Sequence, residues 1–312
     1  MTELYLGIDT SNYTTSAALF DGERVLENRK KLLPVKPGEK GLRQSDAVFH
    51  HVRQLPEVLG PVLDGLACTP AAVGVSVTPT TEENSYMPCF LVGKQTADLL
   101  SRAWKVPVKG FSHQQGHIAA ALYSAGKLEL LDQRFLAFHV SGGTTEALLV
   151  HPGEDGLPEI SLVAKSLDLK AGQAVDRVGL MLGLAFPCGP ELEKLALCWT
   201  ESVRYRPVLK GSDCSLSGIE NQCRAMVDRG EPPEKIARFC LEAIALVLDR
   251  MCASLLEEHG KLPVVFSGGV CSNSILRQRL SEKYSGYFAS PEFSSDNAAG
   301  AAVLAWRKRC AG

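Results

Sequence analysis

The chain has 312 residues, of which 45% are apolar and 22% are charged, and its formal net charge at pH 7 is −2. That length is enough for two domains of ordinary size with a large core, and the composition is typical of a globular protein. A charge so close to zero does not by itself indicate a nucleic-acid-binding protein, although it allows a local basic patch.

The sequence also argues against secretion and membrane insertion. Its first residues lack the basic segment of a secretion signal, and no apolar run approaches the length of a membrane span. The ten cysteines include no Cys-x-x-Cys pair, so a zinc knuckle is not indicated. We therefore expect a cytoplasmic protein with reduced thiols and no membrane partner.

The first predicted element is a β-hairpin. Residues 4–9 (LYLGID) form an apolar run that favours a buried strand, and residues 15–20 predict a second strand. Between them, Thr10-Ser11-Asn12 supplies the small polar residues of a bend.

Helix and strand patterns alternate in the next part of the chain. Helices are predicted at 47–66 and 91–104, with a strand at 71–77 between them. The segment 78–90 (TPTTEENSYMPCF) is the most polar interruption of these patterns, so we expect a loop there.

Two histidines lie four residues apart in the segment FSHQQGHIAAAL. Ser112 followed by Gln115 is a capping-box pattern, which predicts a helix beginning at His113. His113 and His117 would then project from one face of that helix. Such a pair either holds a metal or occurs by chance. A His-Glu-x-x-His protease is not indicated, because Gln114 cannot act as a base.

The run LAFHVSGGTTEALL (136–149) resembles the first hairpin at an offset of 130 residues, with Thr14 against Thr144. The other matched pairs are Leu6 with Leu136, Ser11 with Ser141, Ala17 with Ala147 and Leu19 with Leu149. Both copies read as strand, polar turn and strand, which predicts a duplicated unit.

A strand at 262–270 and helices at 236–258 and 273–284 complete an α/β pattern. Gly-Gly turns follow the strands at SGGTT and SGGVCSN, and such turns favour phosphate, as does a helix starting at Asn273. A single Gly-Gly turn is most often only a chain reversal without a ligand. Two such turns together with the hydroxyl-rich hairpin strengthen the case for an anion site.

The last predicted element is a small-residue helix, DNAAGAAVLAW (296–306). Its small side chains predict close packing against a neighbour. Asp296 stands at its start, where an acid suits either a helix cap or a functional carboxylate.

Taken in order, these segments resemble one family. The motifs are GIDTS, HQQGH, VSGGTTEALL, KSLDLKAGQAVDRVGLMLGLAFPCGP, SLSGIE, SGGVCSNSILRQRL and SSDNAAGAA, and they span essentially the whole chain. The set is similar to the TsaD/Gcp family, the threonylcarbamoyl-transferases that form N6-threonylcarbamoyladenosine in tRNA. The resemblance implies an α/β actin-like ATPase (ASKHA) fold of two duplicated domains around a central cleft. We expect the first domain at 1–110 plus 294–312, and the second at 111–293 with a helical insert near 190–240.

The resemblance also implies a catalytic metal, usually iron or zinc, held by His113, His117 and Asp296. Imidazole and carboxylate ligands suit either ion. The metal would polarise the carbamoyl carbonyl and the phosphate of threonylcarbamoyl-AMP, while adenine N6 attacks and AMP leaves. The family's older glycoprotease label has no support in these residues.

A site for an adenine nucleotide or threonylcarbamoyl-AMP is implied in the same way. Asp176 would hold the ribose hydroxyls, and Asn273 would contact the base or the ribose. The phosphate turn would be Ser141, Gly142 and Gly143, and the remaining implied positions are Asp9, Ser11, Asp168, Gly172 and Gly189.

Several positions depart from the family pattern and lose two acids near the expected reaction centre. After Thr10-Ser11 the family usually has Cys-Asp-Glu-Thr, whereas this chain has Asn12, Tyr13, Thr14 and Thr15. The other departures are Pro79 to Glu83 in place of a Gly-Pro-Gly loop, Thr144 in place of histidine, Lys170 and Gln173 in place of a small residue and glutamate, and Cys188 in place of glycine. Two alternatives therefore stay open: a paralogue with another carbamoyl- or phosphoryl-transfer reaction, and a non-catalytic partner scaffold.

The resemblance implies partner proteins as well as tRNA. Relatives work beside an adenylate-forming enzyme, a dimerising relative of the same fold and a small ATPase. Because this chain has little net charge and carries Glu82 and Glu83 in its polar loop, we expect it to bind tRNA weakly when alone.

Overall fold

The computed structural model describes residues 3–11, 13–34, 42–153, 155–201 and 203–310, so Asn12 lies outside the described residues. The chain divides into two compact units. The first comprises Met1–Gln133, His151–Ile160 and Glu292–Gly312, and the second comprises Arg134–Val150 and Ser161–Pro291.

The strands of the described residues follow the predicted α/β pattern and extend it. They are β1 Tyr5–Ser11, β2 Thr14–Phe20, β3 Val25–Leu32, β4 Ala72–Thr78, β5 Val108–Ser112, β6 Phe135–Val140, β7 Thr145–Pro152, β8 Pro158–Lys165, β9 Leu209–Lys210, β10 Asp213–Cys214, β11 Val264–Ser267 and β12 Tyr287–Phe288.

The helices lie between these strands. They are α1 Gln44–Asp64, α2 Phe90–Trp104, α3 His113–Ser124, α4 Ala171–Met181, α5 Gly189–Leu197, α6 Ser217–Asp228, α7 Pro233–His259, α8 Ser274–Tyr284, α9 Pro291–Ser294 and α10 Ala299–Cys310, with short 3-10 turns at Leu128–Asp132 and Gly269–Ser272. A membrane-spanning helix is not found in the described part of the chain. The cysteine side chains that the structure describes are all free thiols.

The two units repeat one sheet topology. The first sheet has the order β3-β2-β1-β4-β5, and the second has the equivalent order β8-β7-β6-β11-β12. In each sheet an antiparallel hairpin is joined to a parallel strand, β4 beside β1 and β11 beside β6. Leu6 pairs with Leu19 in the first hairpin, and Leu136 pairs with Leu149 in the second. The duplication predicted from the sequence is therefore confirmed, down to the register.

Helices cover both faces of the first sheet. The side chains of Leu6 and Ile8 pack with α1 and α2, whereas Tyr5, on the other face, packs with α3 and α10. A side chain at Gly7 would overlap the carbonyl oxygen of Ala298, so the small residues of α10 allow it to lie directly on the sheet. The close packing predicted for this helix is confirmed.

The core of the second unit lies between its sheet and the helices α4 to α8. Phe138 and Val140 of β6 face the long helix α7, which contributes buried residues such as Leu241 and Ile244. The expected helical insert near 190–240 contains α5 and α6.

The expected domain boundary at 110/111 differs from the observed one. The segment after β5, including α3, belongs to the first unit rather than the second. The reason is the packing of α3 on α10, where a side chain at Gly300 would overlap the carbonyl oxygen of Gly116. Glycine at position 300 lets the two helix backbones meet.

Candidate active site

The start of α3 places two imidazoles on one helix face. The Ser112 hydroxyl accepts a hydrogen bond from the Gln115 backbone N–H at 3.1 Å, and the Ser112 N–H donates to Gln115 Oε1 at 2.9 Å. This capping box begins the helix at His113, as predicted. The rings of His113 and His117 lie edge to face, with centroids 4.3 Å apart.

Asp296 precedes α10 but does not cap it. The cap comes from Asn297, whose Oδ1 accepts a hydrogen bond from the Ala299 N–H at 3.1 Å. The Asp296 carboxylate is therefore available to the imidazoles of α3, which the crossing of α3 and α10 brings close.

The three predicted metal ligands meet at one point. Asp296 Oδ1 lies 3.2 Å from His117 Nε2 and 3.6 Å from His113 Nε2. The candidate ligand atoms of the triad all lie within 4.8 Å of one another. Two imidazole nitrogens and one carboxylate oxygen form a donor set that zinc and iron both accept.

Asp9 supports this triad from the end of β1. Its Oδ2 lies 2.8 Å from His113 Nδ1 and accepts a hydrogen bond from the Ser76 hydroxyl at 2.5 Å. Its Oδ1 accepts from the Ser11 N–H at 2.8 Å. A carboxylate on Nδ1 leaves Nε2 of His113 directed at Asp296, the usual arrangement behind a metal-binding histidine.

Charge explains how these buried groups coexist. Burial alone would lower the pKa of His113, but the carboxylates of Asp9 and Asp296 outweigh it and raise that pKa to about 10. Burial opposes ionisation of Asp296 too, yet hydrogen bonds from both imidazoles hold the pKa of Asp296 well below its usual range. The pKa of Asp9 is lowered in the same way by His113, against the effect of burial. The carboxylates of Asp9, which is buried, and Asp296, which is partly exposed, thus favour a positive charge between them. The protonated imidazole provides that charge, and a divalent metal would provide it when bound, so the residues present fit the ion.

The second unit contains a cavity of about 310 Å³ at the turns after β6 and β11. Its lining is Gly142, Gly172, Val175, Asp176, Pro187, Gly189, Pro190, Glu193, Leu241, Gly269, Val270, Ser272 and Asn273. The structure therefore brings together five of the implied nucleotide-binding residues, Gly142, Gly172, Asp176, Gly189 and Asn273. Gly172 is required here, because a side chain would overlap the backbone of Gly142.

Two of these residues also organise the cavity wall. Asp176 Oδ1 accepts a hydrogen bond from the Cys188 N–H at 2.9 Å, which fixes the turn before α5. Asn273 Oδ1 caps α8 by accepting from the backbone N–H groups of Ile275 and Leu276.

Other implied nucleotide-binding residues lie elsewhere. Ser141 and Gly143 are not among the residues that line the cavity. Asp168 is also absent from the lining, because its carboxylate accepts hydrogen bonds from Leu216 N–H and from the Ser217 N–H and hydroxyl, and so holds the start of α6. In the first unit, Asp9 supports His113, and the Ser11 hydroxyl oxygen is buried without a hydrogen-bond partner among the described residues.

Sequence reasoning missed three supporting contacts. Glu193 lines the cavity and accepts from the N–H and hydroxyl of Ser274, and the hydroxyls of Ser76 and Thr14 donate to Asp9 and Asp296. Each contact joins residues far apart in the chain, so no local spacing could have indicated it.

Comparisons with solved structures show the fold alone. Component A of (R)-2-hydroxyglutaryl-CoA dehydratase from Acidaminococcus fermentans is 18% identical with a TM-score of 0.55, and the match covers 99% of both chains. HypF from T. kodakarensis is 12% identical with a TM-score of 0.62, covering 98% of this chain but 47% of HypF. ROK hexokinase from Thermus thermophilus is 16% identical with a TM-score of 0.51, covering 99% and 100%. The fold is the α/β actin-like ATPase fold.

Family membership comes from the sequence. The model of the TsaD family, described as tRNA N6-adenosine threonylcarbamoyltransferase, matches residues 40–303. The match includes all three residues of the assembled triad as well as the cavity of the second unit. The chain therefore belongs to the TsaD family of tRNA N6-adenosine threonylcarbamoyltransferases.

Proposed function

We propose that the protein transfers the threonylcarbamoyl group of threonylcarbamoyl-AMP to N6 of an adenosine in tRNA. The observation that carries this proposal is the assembled triad of His113, His117 and Asp296 in a chain of this family. A non-catalytic scaffold has no need of two carboxylates around one imidazole, because a buried charge such as that of Asp9 is costly unless it is compensated.

The reaction joins N6 of the adenosine to the carbamoyl carbon and breaks the bond from that carbon to the phosphate oxygen. AMP leaves, and N6 loses a proton. His113, His117 and Asp296 would hold a divalent metal, which would supply Lewis acidity toward the substrate when bound. Asp9 accepts a hydrogen bond from the Nδ1–H of His113, which leaves Nε2 as the nitrogen that would ligate the metal once its own proton is released.

The adenine nucleotide is proposed to bind in the cavity of the second unit. Its volume of about 310 Å³ lies at the lower end of the usual range for small-molecule sites. The backbone of Gly142 is open to a phosphate, since nothing lies within 4 Å of where its side chain would begin. Asp176 offers a carboxylate for ribose hydroxyls, and Asn273 offers its amide.

Reconstitution tests the reaction. The purified chain is incubated with threonine, bicarbonate, ATP, the family partner proteins and unmodified tRNA, and the tRNA nucleosides are analysed by mass spectrometry. We expect N6-threonylcarbamoyladenosine with the wild-type chain and none with Asp296→Ala. If no product forms while metal and AMP still bind, the reaction is wrong, and the paralogue alternative, which the lost acids at Tyr13 and Thr14 favour, replaces it.

Nucleotide binding has its own test. A ligand that binds the native state raises the melting temperature by mass action, so AMP should stabilise the wild-type chain. Gly142→Val should abolish that shift by filling the approach to the turn. Gly218→Val in α6 is the matched control, because a side chain there also has open space and the residue does not line the cavity. If AMP shifted the melting temperature of both variants equally, the cavity would not be the nucleotide site.

A further inference from the structure

The two oxygens of Asp296 have different surroundings. Oδ1 faces both imidazoles, at 3.2 and 3.6 Å from their Nε2 atoms. Oδ2 accepts a hydrogen bond from the Thr14 hydroxyl at 3.2 Å. The sequence therefore supplies a neutral donor for the oxygen that points away from His113 and His117.

Thr14 is held firmly enough to orient a carboxylate. It is the first residue of β2, is 3% exposed, and pairs in register with Ser11 of β1 on one side and Leu32 of β3 on the other. Its hydroxyl thus comes from a strand inside the sheet rather than from a mobile loop.

The backbone that leads to Asp296 is tied to the same sheet. Lys30 of β3 donates from Nζ to the Glu292 carbonyl at 2.9 Å and to the Ser295 hydroxyl at 2.8 Å. Two neighbouring strands therefore fix this ligand, β3 through the preceding segment and β2 through the carboxylate itself.

A carboxylate can ligate a metal through one oxygen or through both. Because the Thr14 hydroxyl engages Oδ2, Asp296 presents Oδ1 alone to the imidazoles. Together with the two Nε2 atoms this makes three protein ligands, the number that leaves a catalytic metal with an open position for substrate.

We propose that Thr14 is a positioning residue that holds Asp296 as a one-oxygen ligand and so keeps the metal site open. This inference rests on the metal site of the proposed function, but it concerns a residue of this chain and is measurable without turnover. Loss of a group behind a metal ligand typically costs about 10- to 100-fold in metal affinity.

The test is Co²⁺ titration of the whole chain, followed by visible absorption, for the wild type, Thr14→Val and Thr14→Ser. We expect Thr14→Val to bind Co²⁺ about 10- to 100-fold more weakly and to give a different absorption spectrum, since the freed carboxylate can offer both oxygens. Thr14→Ser, which keeps the hydroxyl, should restore the affinity and the spectrum.

Thr15→Val is the matched control. It removes the neighbouring buried hydroxyl, which contacts His51 and Gln54 on the other face of β2, and should leave Co²⁺ binding unchanged. Wild-type affinity in Thr14→Val, or an equal loss in Thr14→Ser and in Thr15→Val, would overturn the role of Thr14 alone. Absence of Co²⁺ binding by the wild type would overturn the metal site and this inference with it.

Discussion

At the residue scale, the decisive feature is the proton on His113. Asp9 accepts a hydrogen bond from the Nδ1–H, so Nε2 is the nitrogen that faces Asp296 and would ligate a metal in place of its proton. A histidine ligand is commonly fixed in this way by a carboxylate behind it.

Asp9→Asn tests this arrangement. The amide oxygen can still accept from the Ser11 N–H, but the amide nitrogen then donates to His113 Nδ1 and moves the ring proton to Nε2. We expect metal affinity to fall about 10- to 100-fold, as measured by competition with a chromophoric chelator. Asp21→Asn makes the same chemical change in an exposed turn and should have no effect; a similar loss in both variants would contradict the role of Asp9.

A second histidine is buried without charge. His51 of α1 lies with Nδ1 2.8 Å from the Thr15 hydroxyl, and its Nε2 has no hydrogen-bond partner among the described residues. Burial lowers the pKa of His51 to about 4, with Asp9 opposing the shift and His50 adding to it.

This histidine makes folding depend on pH. In the unfolded chain it takes up a proton as pH falls through about 6.5, whereas in the folded chain it stays neutral until about pH 4. The unfolded state therefore binds more protons in that window, and the free energy of unfolding should fall as pH is lowered. Urea unfolding at several pH values should show that the free energy of unfolding depends less on pH in His51→Asn than in the wild type. The same pH dependence in both would contradict the buried neutral imidazole.

At the scale of elements, the site depends on the crossing of α3 and α10. Gly300 lets α10 touch the backbone of α3 at Gly116, and the crossing sets the imidazoles of α3 beside Asp296. The geometry of the candidate triad and the stability of the first unit thus both depend on one close contact.

Gly300→Ala should break that coupling. Its methyl group would overlap the Gly116 carbonyl, and overpacking of this kind costs about 1–3 kcal/mol, so the free energy of unfolding and the metal affinity should both fall. Gly60→Ala is the same change inside α1, where nothing lies within 4 Å, and should stabilise by about 0.5–1 kcal/mol. Urea unfolding measures the free energy of unfolding of both variants. A decrease of the same size in each would refute the steric argument.

Local patterns predicted some elements well and others poorly. The capping box placed the start of α3 at His113 because its two hydrogen bonds join residues three apart. In contrast, the exposed strand β3 was not predicted, since an edge strand rich in charge lacks an alternating pattern. The strand predicted at 262–270 is shorter, Val264–Ser267, because a 3-10 turn follows at Gly269–Ser272.

The candidate site divides in the same way. The pairing of His113 and His117 follows from their spacing on one helix, whereas Asp296 and five of the thirteen residues that line the cavity were anticipated through the family resemblance. The partnership of Asp9 with His113 joins residues 104 apart, and that of Thr14 with Asp296 joins residues 282 apart. Neither leaves a local trace in the sequence.

At the scale of the whole molecule, the same hairpin and sheet topology occurs twice, but the residues at equivalent positions differ. Asp9 pairs with Ser16 in the first hairpin, and the equivalent pair in the second hairpin is His139 with Glu146. His139 Nδ1 lies 3.1 Å from the Ser267 hydroxyl, so the second copy does not repeat the carboxylate that supports the metal triad. Duplication preserved the register while the functional positions diverged.

The charge of the whole chain leads to a prediction about tRNA. A formal net charge of −2 offers little release of counterions, the term that dominates non-specific affinity for nucleic acids. We expect weak tRNA binding by the chain alone and clear binding once the partner proteins are added, as measured by filter binding across a range of salt. Tight, steeply salt-dependent binding by the isolated chain would contradict this view.

The central claim is that the first unit contains a metal site whose ligands are His113, His117 and Asp296. Elemental analysis of the freshly purified chain measures it most directly, beside His117→Ala with its fold checked by circular dichroism. We predict about one iron or zinc per wild-type chain, as for a three-ligand open site, and almost none in the folded variant. A wild-type chain that carries no metal and takes up none when it is added, or a variant that retains the full amount, would contradict the account.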